Sequence, residues 1–376
     1  VILTHKVKLL PNEEQENALM ETMERFNKAC DFVSDVAFRI KSANKIRLHK
    51  EVYYEIRESY SLPAQLAIHV ITKVCEAYKR DKTRRPKYNM HGAVIYDQRI
   101  LTWKGADRVS LVTLRGRVVI PFINYDYYET RKVIVRGQAD LILKNGVFYL
   151  CVSVEVEEAE EIKPVDVLGV DLGIVNLAVD SDGETHSGEA VLKTRGRMTK
   201  LRSGLQSCGT RSAKRHLKNL AGKERRFQRD INHCISKQLI AKAKGTKRAI
   251  VLEDLGGIRS RKTVSKVQRR DLHAWSYYQL RSFIEYKAKI EGVPVILVDP
   301  RNTSRTCPRC GYVAAENRKT RDEFECVRCG FADLADRTAA INIAARGQVN
   351  GPMVTRDLLG PVGHLSCKPK NLFVGS

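Results

Sequence analysis

The sequence predicts a multidomain protein of the α/β class, and three observations predict it. A block of strand-like segments with little helical pattern occupies about residues 91–156. Beyond it, apolar strand-like runs alternate with helical stretches, the order that makes an α/β layer. Two Cys-x-x-Cys pairs, Cys307/Cys310 and Cys326/Cys329, then interrupt this alternation as a small module of their own. The 376 residues are enough for two or three domains. Their 43% apolar and 29% charged content is that of a folded chain.

Residues 1–10 partly alternate and predict a strand. Asn12 followed by Gln15 is a capping box after Pro11, and it starts a helix with Leu19, Met23, Phe26, Cys30, Val33 and Ala37 on one face. A second helix follows Pro63 with Leu66, Val70, Val74 and Ala77 inward, and ends in the basic run 79–87. Strands are expected at Ala93–Tyr96, Val109–Thr113, Arg117–Phe122, Arg131–Arg136, Ala139–Lys144 and Val147–Val156. Asn145-Gly146 is a two-residue hairpin signal between the last two. With the opening strand these segments can close a small barrel into which the helices are inserted. The polar stretch Glu157–Lys163 before Pro164 puts a domain boundary near 163.

The next run, Val165–Val179, is a buried strand carrying Asp171 between Gly169 and Gly173, and Asp180–Gly183 is a hairpin turn. Residues 193–229 hold thirteen Lys or Arg and one acid, Glu224, so a helix or helix pair with a basic face is expected, with Leu217, Leu220, Phe227, Ile231, Cys234 and Ile235 inward. Another apolar run, Ala249–Leu255, ends in Glu253 and Asp254. Then come a helix over Leu272–Glu291, a strand over Val293–Val298, the cysteine module, and a helix opening at Asp336. The Gly- and Pro-containing tail beyond Arg346 is expected to be peripheral.

The balance of 66 Lys+Arg against 43 Asp+Glu, a formal charge of +23, attracts polyanions. Nucleic acid is the expected partner, contacted by Arg84, Arg85 and Lys87 in the first basic run and by Arg211, Lys214, Arg215, Lys218, Arg225, Arg226 and Arg229 in the second. No membrane-spanning run or signal-peptide pattern is found, so a membrane partner is set aside and a cytoplasmic location is expected. The six cysteines outside the pairs (Cys30, Cys75, Cys151, Cys208, Cys234, Cys367) are scattered, as buried thiols in a reducing compartment are.

Two groups of residues carry chemistry. Two Cys-x-x-Cys knuckles, each followed by glycine (Gly311, Gly330), can set four thiolates tetrahedrally about 2.3 Å from one structural zinc. Asp171, Glu253 and Asp336 are acids on two strands and a helix, the order in which an RNase H-like nuclease gathers carboxylates around two divalent cations. Two Mg²⁺ ions about 3.5–4 Å apart activate a water and stabilise the leaving oxygen of a phosphodiester. Asp254 points to the opposite face of the strand, and Asp333 competes with Asp336.

These stretches together resemble the TnpB family, compact RNA-guided nucleases of insertion sequences related to type V CRISPR effectors. The resemblance lies in Lys6–Gln15, in Gly169-Val-Asp-Leu-Gly173 and Val251-Leu-Glu-Asp-Leu255, which are similar to the first two RuvC motifs, in Tyr286–Lys289 and Val298–Gly311, and in Asp336–Ile343, which is similar to the third motif. Thr338 stands where the family has Asn, a change expected to weaken activity without abolishing it. The resemblance implies a wedge barrel from 1–11 and 91–163 with a helical recognition domain, 12–90, inserted. It implies an RuvC-like domain over 164–304 with a basic helical insertion at 193–245, a zinc ribbon at 305–331, the third motif at 332–346 and a tail at 347–376. It also implies a guide RNA derived from the transposon end and a double-stranded DNA target, cut beside a short adjacent motif by one RuvC-like site; the sequence does not give the oligomeric state, and a monomer is favoured. The alternatives are a miniature type V effector, a guide-dependent DNA-binding regulator without nuclease activity, and a strand-transferring transposase.

Overall fold

The computed structural model describes residues 1–123, 133–255 and 277–350. The expected strand residues 131–132, the expected helix residues 272–276 and the tail from 351 lie outside the described residues. The chain divides into two compact units, Val1–Glu157 and Glu158–Ser376.

The first unit combines strand β1 (Ile2–Leu9), helices α1 (Glu13–Arg39), α2 (Lys45–Ser59) and α3 (Ala64–Arg80), and strands β2 (Val94–Tyr96), β3 (Leu101–Lys104), β4 (Arg108–Thr113), β5 (Gly116–Ile123), β6 (Val133–Lys144) and β7 (Val147–Val156). Its antiparallel sheet has the order β2-β6-β7-β1-β5-β4-β3. The two edge strands, β2 and β3, are separated in sequence only by residues 97–100. In a flat sheet of seven strands those edges would stand roughly 29 Å apart, at about 4.8 Å per gap. The five Cα steps from Tyr96 to Leu101 span at most about 19 Å. The sheet therefore curls until it is nearly closed, and the Tyr96 hydroxyl of β2 donates to the Val112 carbonyl of β4 across the gap at 2.9 Å.

The Asn12–Gln15 capping box is formed in both directions, at 2.9 and 3.1 Å, and all six predicted inward residues of α1 are buried. Helix α2 escaped the sequence reading, although Leu48, Val52 and Ile56 recur every four residues after the Asn44 cap. Asn145 and Gly146 both have positive φ, 51° and 76°, as the predicted tight hairpin requires. The two strands expected at 131–136 and 139–144 are one strand, β6, with an irregularity: Arg136 pairs with Ser153 and Ala139 with Val152. Gly137 turns there with φ +68°. Four side chains of the helices clasp the returning chain. Ser34 and Asn27 donate to the carbonyls of Pro86 and Gly92, Asp31 accepts from the Tyr88 N–H, and Lys73 donates to the carbonyl of Ala93.

The second unit contains β8 (Asp166–Asp171), β9 (Asn176–Asp180), β10 (Thr185–Ser187), α4 (Glu189–Cys208), α5 (Arg211–Leu220), α6 (Lys223–Gly245), β11 (Arg248–Glu253), α7 (Tyr277–Glu291), β12 (Val295–Val298), β13 (Glu323–Glu325), β14 (Ala332–Leu334) and α8 (Ala335–Asn350). Its main sheet has the order β10-β9-β8-β11-β12. The β8/β9 and β9/β10 pairs are antiparallel, whereas β8/β11 and β11/β12 are parallel. Period-2 alternation gives the strands two buried faces. Leu168, Val170, Ile250 and Leu252 pack with α6 and α7, while Val167, Ala249 and Val251 pack with Ile343 of α8. Gly169 lets α8 approach β8, since a Cβ there would lie 2.1 Å from the Ala340 carbonyl oxygen. The unit begins before the expected boundary near 163, because Ala159 and Ile162 donate to the carbonyls of Ile290 and Gly292 at the end of α7.

The predicted inward stripe of α6 is displaced. Phe227 and Cys234 are exposed, and the buried residues are Gln228, Asn232, Ile235, Ser236, Leu239, Ile240 and Ala243. Three of these are polar and find partners across the interface: Arg195 donates to Gln228, Asn232 to Gln279, and Lys287 to Ser236. Satisfied polar groups can thus occupy a buried face that a search for apolar periodicity misses.

Candidate active site and four-cysteine cluster

Alternation along β8 and β11 carries directly to the acids. Asp171 lies two residues beyond Gly169, and Glu253 two beyond Val251, so both belong to the face covered by α8. Each is the last residue of its strand, and the two strands are adjacent and parallel. The carboxyl ends of such strands are where an α/β sheet usually holds its ligand. Asp336, in the first turn of α8, is brought to the same edge. The convergence is visible electrostatically. Burial pushes the Asp171 carboxyl up to about 8, and the negative charges of Glu253 and then Asp336 push in the same direction, against the opposing Arg318 guanidinium and the Leu172 N–H. Glu253 and Asp336 are thus both near enough to Asp171 to act on its carboxyl.

Their partners were not visible in sequence. Asn176, the first residue of β9, donates to Asp336 Oδ2 at 2.9 Å, and Arg318 stands 3.6 Å from Asp336 Oδ1. The Thr303 hydroxyl donates to Glu253 Oε1. Asp254 points away to Arg281, 2.7 Å distant. Asp333 accepts from the Leu334 N–H and lies 3.6 Å from Arg337. Thr338 is fully buried, and its hydroxyl has no hydrogen-bond partner.

The cysteine module is built from two equivalent turns. Gly311 and Gly330 adopt φ +73° and +71°, and each donates to the carbonyl of the first cysteine of its pair at 2.9 Å. Cys307 and Cys326 in turn donate to Tyr312 and Phe331. The four sulfurs lie within 4.8 Å of one another, with Cys307–Cys329 and Cys310–Cys326 both at 3.6 Å. Four ligands about 2.3 Å from a tetrahedral zinc stand about 3.8 Å apart. The cluster thus has the size and thiol donors for one such ion. Burial raises the Cys326 thiol, but the N–H groups of Cys329 and Arg328 and the Cys310 and Cys307 thiols outweigh it and bring it down to about 7. Phe324, Phe331 and Ala335 are the module's small apolar core. Asn317, fully buried, ties the turns together: it donates to the carbonyls of Arg305 and Tyr312 and accepts from the Val327 N–H.

The basic stretch folds as three helices. Its single acid, Glu224, is used internally, bound to Arg195 of α4 at 3.3 Å and to Arg202 at 3.1 Å. Arg211, Lys214, Arg215 and Lys218 line one face of α5 at helical spacing, and with Arg225, Arg226 and Arg229 of α6 all are exposed. Arg84 and Lys87 are exposed too, whereas Arg85 is half-buried and paired with Asp35 at 2.5 Å. Among the described residues, no helix is long and apolar enough to cross a membrane.

Two family models match the chain: residues 149–255 match one described as a probable transposase (OrfB_IS605), and residues 277–343 match the Cas12f1-like TNB domain. A TnpB-like protein of Methanocaldococcus jannaschii is 36% identical over 133 residues, which are 35% of this chain and 47% of that protein. InsQ of Escherichia coli, whose name puts it forward as an RNA-guided DNA endonuclease, is 25% identical over 91% of both chains. The solved structure of the mini-RNA-guided endonuclease CRISPR-Cas phi3 is similar in fold, with a TM-score of 0.55 at 11% identity, covering 94% of this chain and 93% of that one. The chain spans about half the length of the first curated relatives it matches. Both family models, the order of the motifs and these relatives point the same way: the chain is similar to TnpB-like proteins and to Cas12f-type proteins.

Proposed function

We propose that this chain is an RNA-guided, Mg²⁺-dependent DNA endonuclease of TnpB type. The observation that carries the reading is the meeting of three acids from two adjacent strand ends and a helix start, where burial first and the charges of Glu253 and Asp336 second raise the Asp171 carboxyl far above the ordinary range. Such crowding is costly for a fold alone and is relieved by cations. The strand order and directions of the second sheet support an RNase H-like, RuvC-type core.

Asp171, Glu253 and Asp336 fit hard divalent ions, being oxygen donors of high charge. Mg²⁺ keeps several of its waters, so three acids shared between two ions suffice as protein ligands. When bound, these ions would supply Lewis acidity toward the phosphodiester and a water of lowered pKa. The protein's own part is to orient the acids: Asn176 holds Asp336, and the first turn of α8 sets Asp336 against the strand ends. Arg318 brings a positive charge to this edge, where a phosphate would lie. The exposed faces of α5 and α6 would carry the guide RNA or target DNA by phosphate contact. The four cysteines would hold one structural zinc, and the first unit would be the wedge barrel with its helical recognition insertion.

The test is purification of the chain from a host carrying its own locus, sequencing of the bound RNA, and cleavage of a matching duplex by the wild type and Asp171→Ala. A discrete RNA with a fixed scaffold and variable end, plus cleavage lost in the variant, is expected. Full cleavage by Asp171→Ala would overturn the site. A CRISPR repeat in the RNA would mark a miniature type V effector. The unpartnered Thr338 hydroxyl favours a second reading, a guide-dependent regulator that binds without cutting; binding without any cleavage by the wild type would decide for it.

A further inference from the structure

The segment from Asp299 to Thr306 leaves β12 and enters the first cysteine turn, and it is unusually well tied. The Arg301 N–H donates to Asp299 Oδ1, Asn302 sits at φ +62°, and Arg305 and Thr306 both donate to the Asn302 carbonyl. From outside, two side chains one turn apart on α8 take four of its carbonyls. Asn342 donates to Thr303 and Thr306 at 2.8 and 2.7 Å, and Arg346 to Asp299 and Arg301 at 2.5 and 2.6 Å. Asn342 is only 6% exposed, so water does not compete for its bonds. The helix that carries Asp336 therefore also fixes this segment.

Thr303 lies at its centre and is 3% exposed. Its hydroxyl is 2.5 Å from Glu253 Oε1, with the Pro300 carbonyl as its other acceptor at 3.1 Å. The threonine hydroxyl is the donor in this pair. The one hydroxyl proton goes mainly to the carboxylate, the nearer acceptor, and because the backbone around Thr303 is anchored this bond restricts rotation of that carboxylate. We infer that Thr303 is a positioning residue for Glu253, holding the carboxylate toward a divalent cation, and that Asn342 and Arg346 keep Thr303 in place. The inference rests on the proposed role of Glu253 as a cation ligand.

The experiment is titration of the full-length, zinc-loaded chain with Mn²⁺, followed by the electron paramagnetic resonance signal of the free ion. Partners of metal ligands typically contribute 10–100-fold in affinity. Thr303→Val keeps the shape and removes the donor, and about tenfold weaker Mn²⁺ binding is expected, with zinc content and melting temperature held. Thr303→Ser should bind within about twofold of the wild type, since it keeps the donor. Wild-type affinity in a folded Thr303→Val, or equal loss in both variants, would overturn the inference. If valine unfolds the chain, seen as zinc loss, Thr303→Ala replaces it with the same expectations. Glu253→Ala separates the two levels: if it leaves Mn²⁺ binding unchanged, the reading of the site itself fails, whatever Thr303 does.

Discussion

Replacing Asp171 by asparagine should stabilise the second unit in magnesium-free buffer while removing cleavage. Asp171 has its carboxyl raised from 3.8 to about 8, by burial first and by Glu253 and Asp336 second. Between those values the native state holds a proton that the unfolded chain has released. Wild-type stability must therefore fall as pH rises from about 4 to about 8, by up to about 1.4 kcal/mol per pH unit, and level off above. The amide of the Asp171→Asn variant has no such titration. From pH 5 to pH 8 the variant should gain on the wild type by up to about 4 kcal/mol. A gain of about 2 kcal/mol is expected, because relaxation around a buried charge offsets part of its burial cost. The assay is urea unfolding at both pH values, without chelator, so that any metal held by the cysteine cluster stays in place. Added Mg²⁺ should reverse the order, since only the wild type offers the carboxylate. An identical pH dependence of the two proteins would refute the crowding argument.

Other perturbations test the remaining links. Gly169→Val sets a Cβ against the backbone of Ala340 and Ala344, and should cost about 3 kcal/mol or more, seen as a lower melting temperature, because backbone cannot yield as a side chain does. Asn317→Ala strands two carbonyls and an N–H between the cysteine turns, and should weaken zinc retention against a chelator by at least about tenfold. Replacing Arg211, Lys214, Arg215 and Lys218 together by Gln should lower the slope of duplex affinity against salt by about 3.6, if each touches a phosphate. An unchanged slope would remove α5 from the interface.

Asp171, Glu253 and Asp336 stand out in the sequence as candidates because each sits in a short pattern of its own: an apolar strand for the first two, a helix start for the third. The cysteine module was legible from spacing alone, since two tight turns with glycine at positive φ define it locally. Helix α2 and strand β3 were missed because each contributes few apolar residues to a long polar stretch. The stripe of α6 was misplaced because Gln228, Asn232 and Ser236 are buried there with partners on other elements.

Sequence by itself thus determined the elements whose cause is local: the Asn12 cap, the Asn145–Gly146 hairpin, the alternation of β7 and the two cysteine turns. It also determined which residue types were present to bind metal. Only the tertiary structure decided what those residues meet. Arg318 at Asp336, Asn176 at Asp336, Thr303 at Glu253 and Asn317 between the knuckles all join residues distant in the chain or on separate turns. The same holds for the curl of the first sheet, which follows from a four-residue connection only once the strand order is known. Local pattern fixes backbone conformation and face. Which side chain lies against which carboxylate depends on how separate elements pack, and no periodicity within one element encodes that.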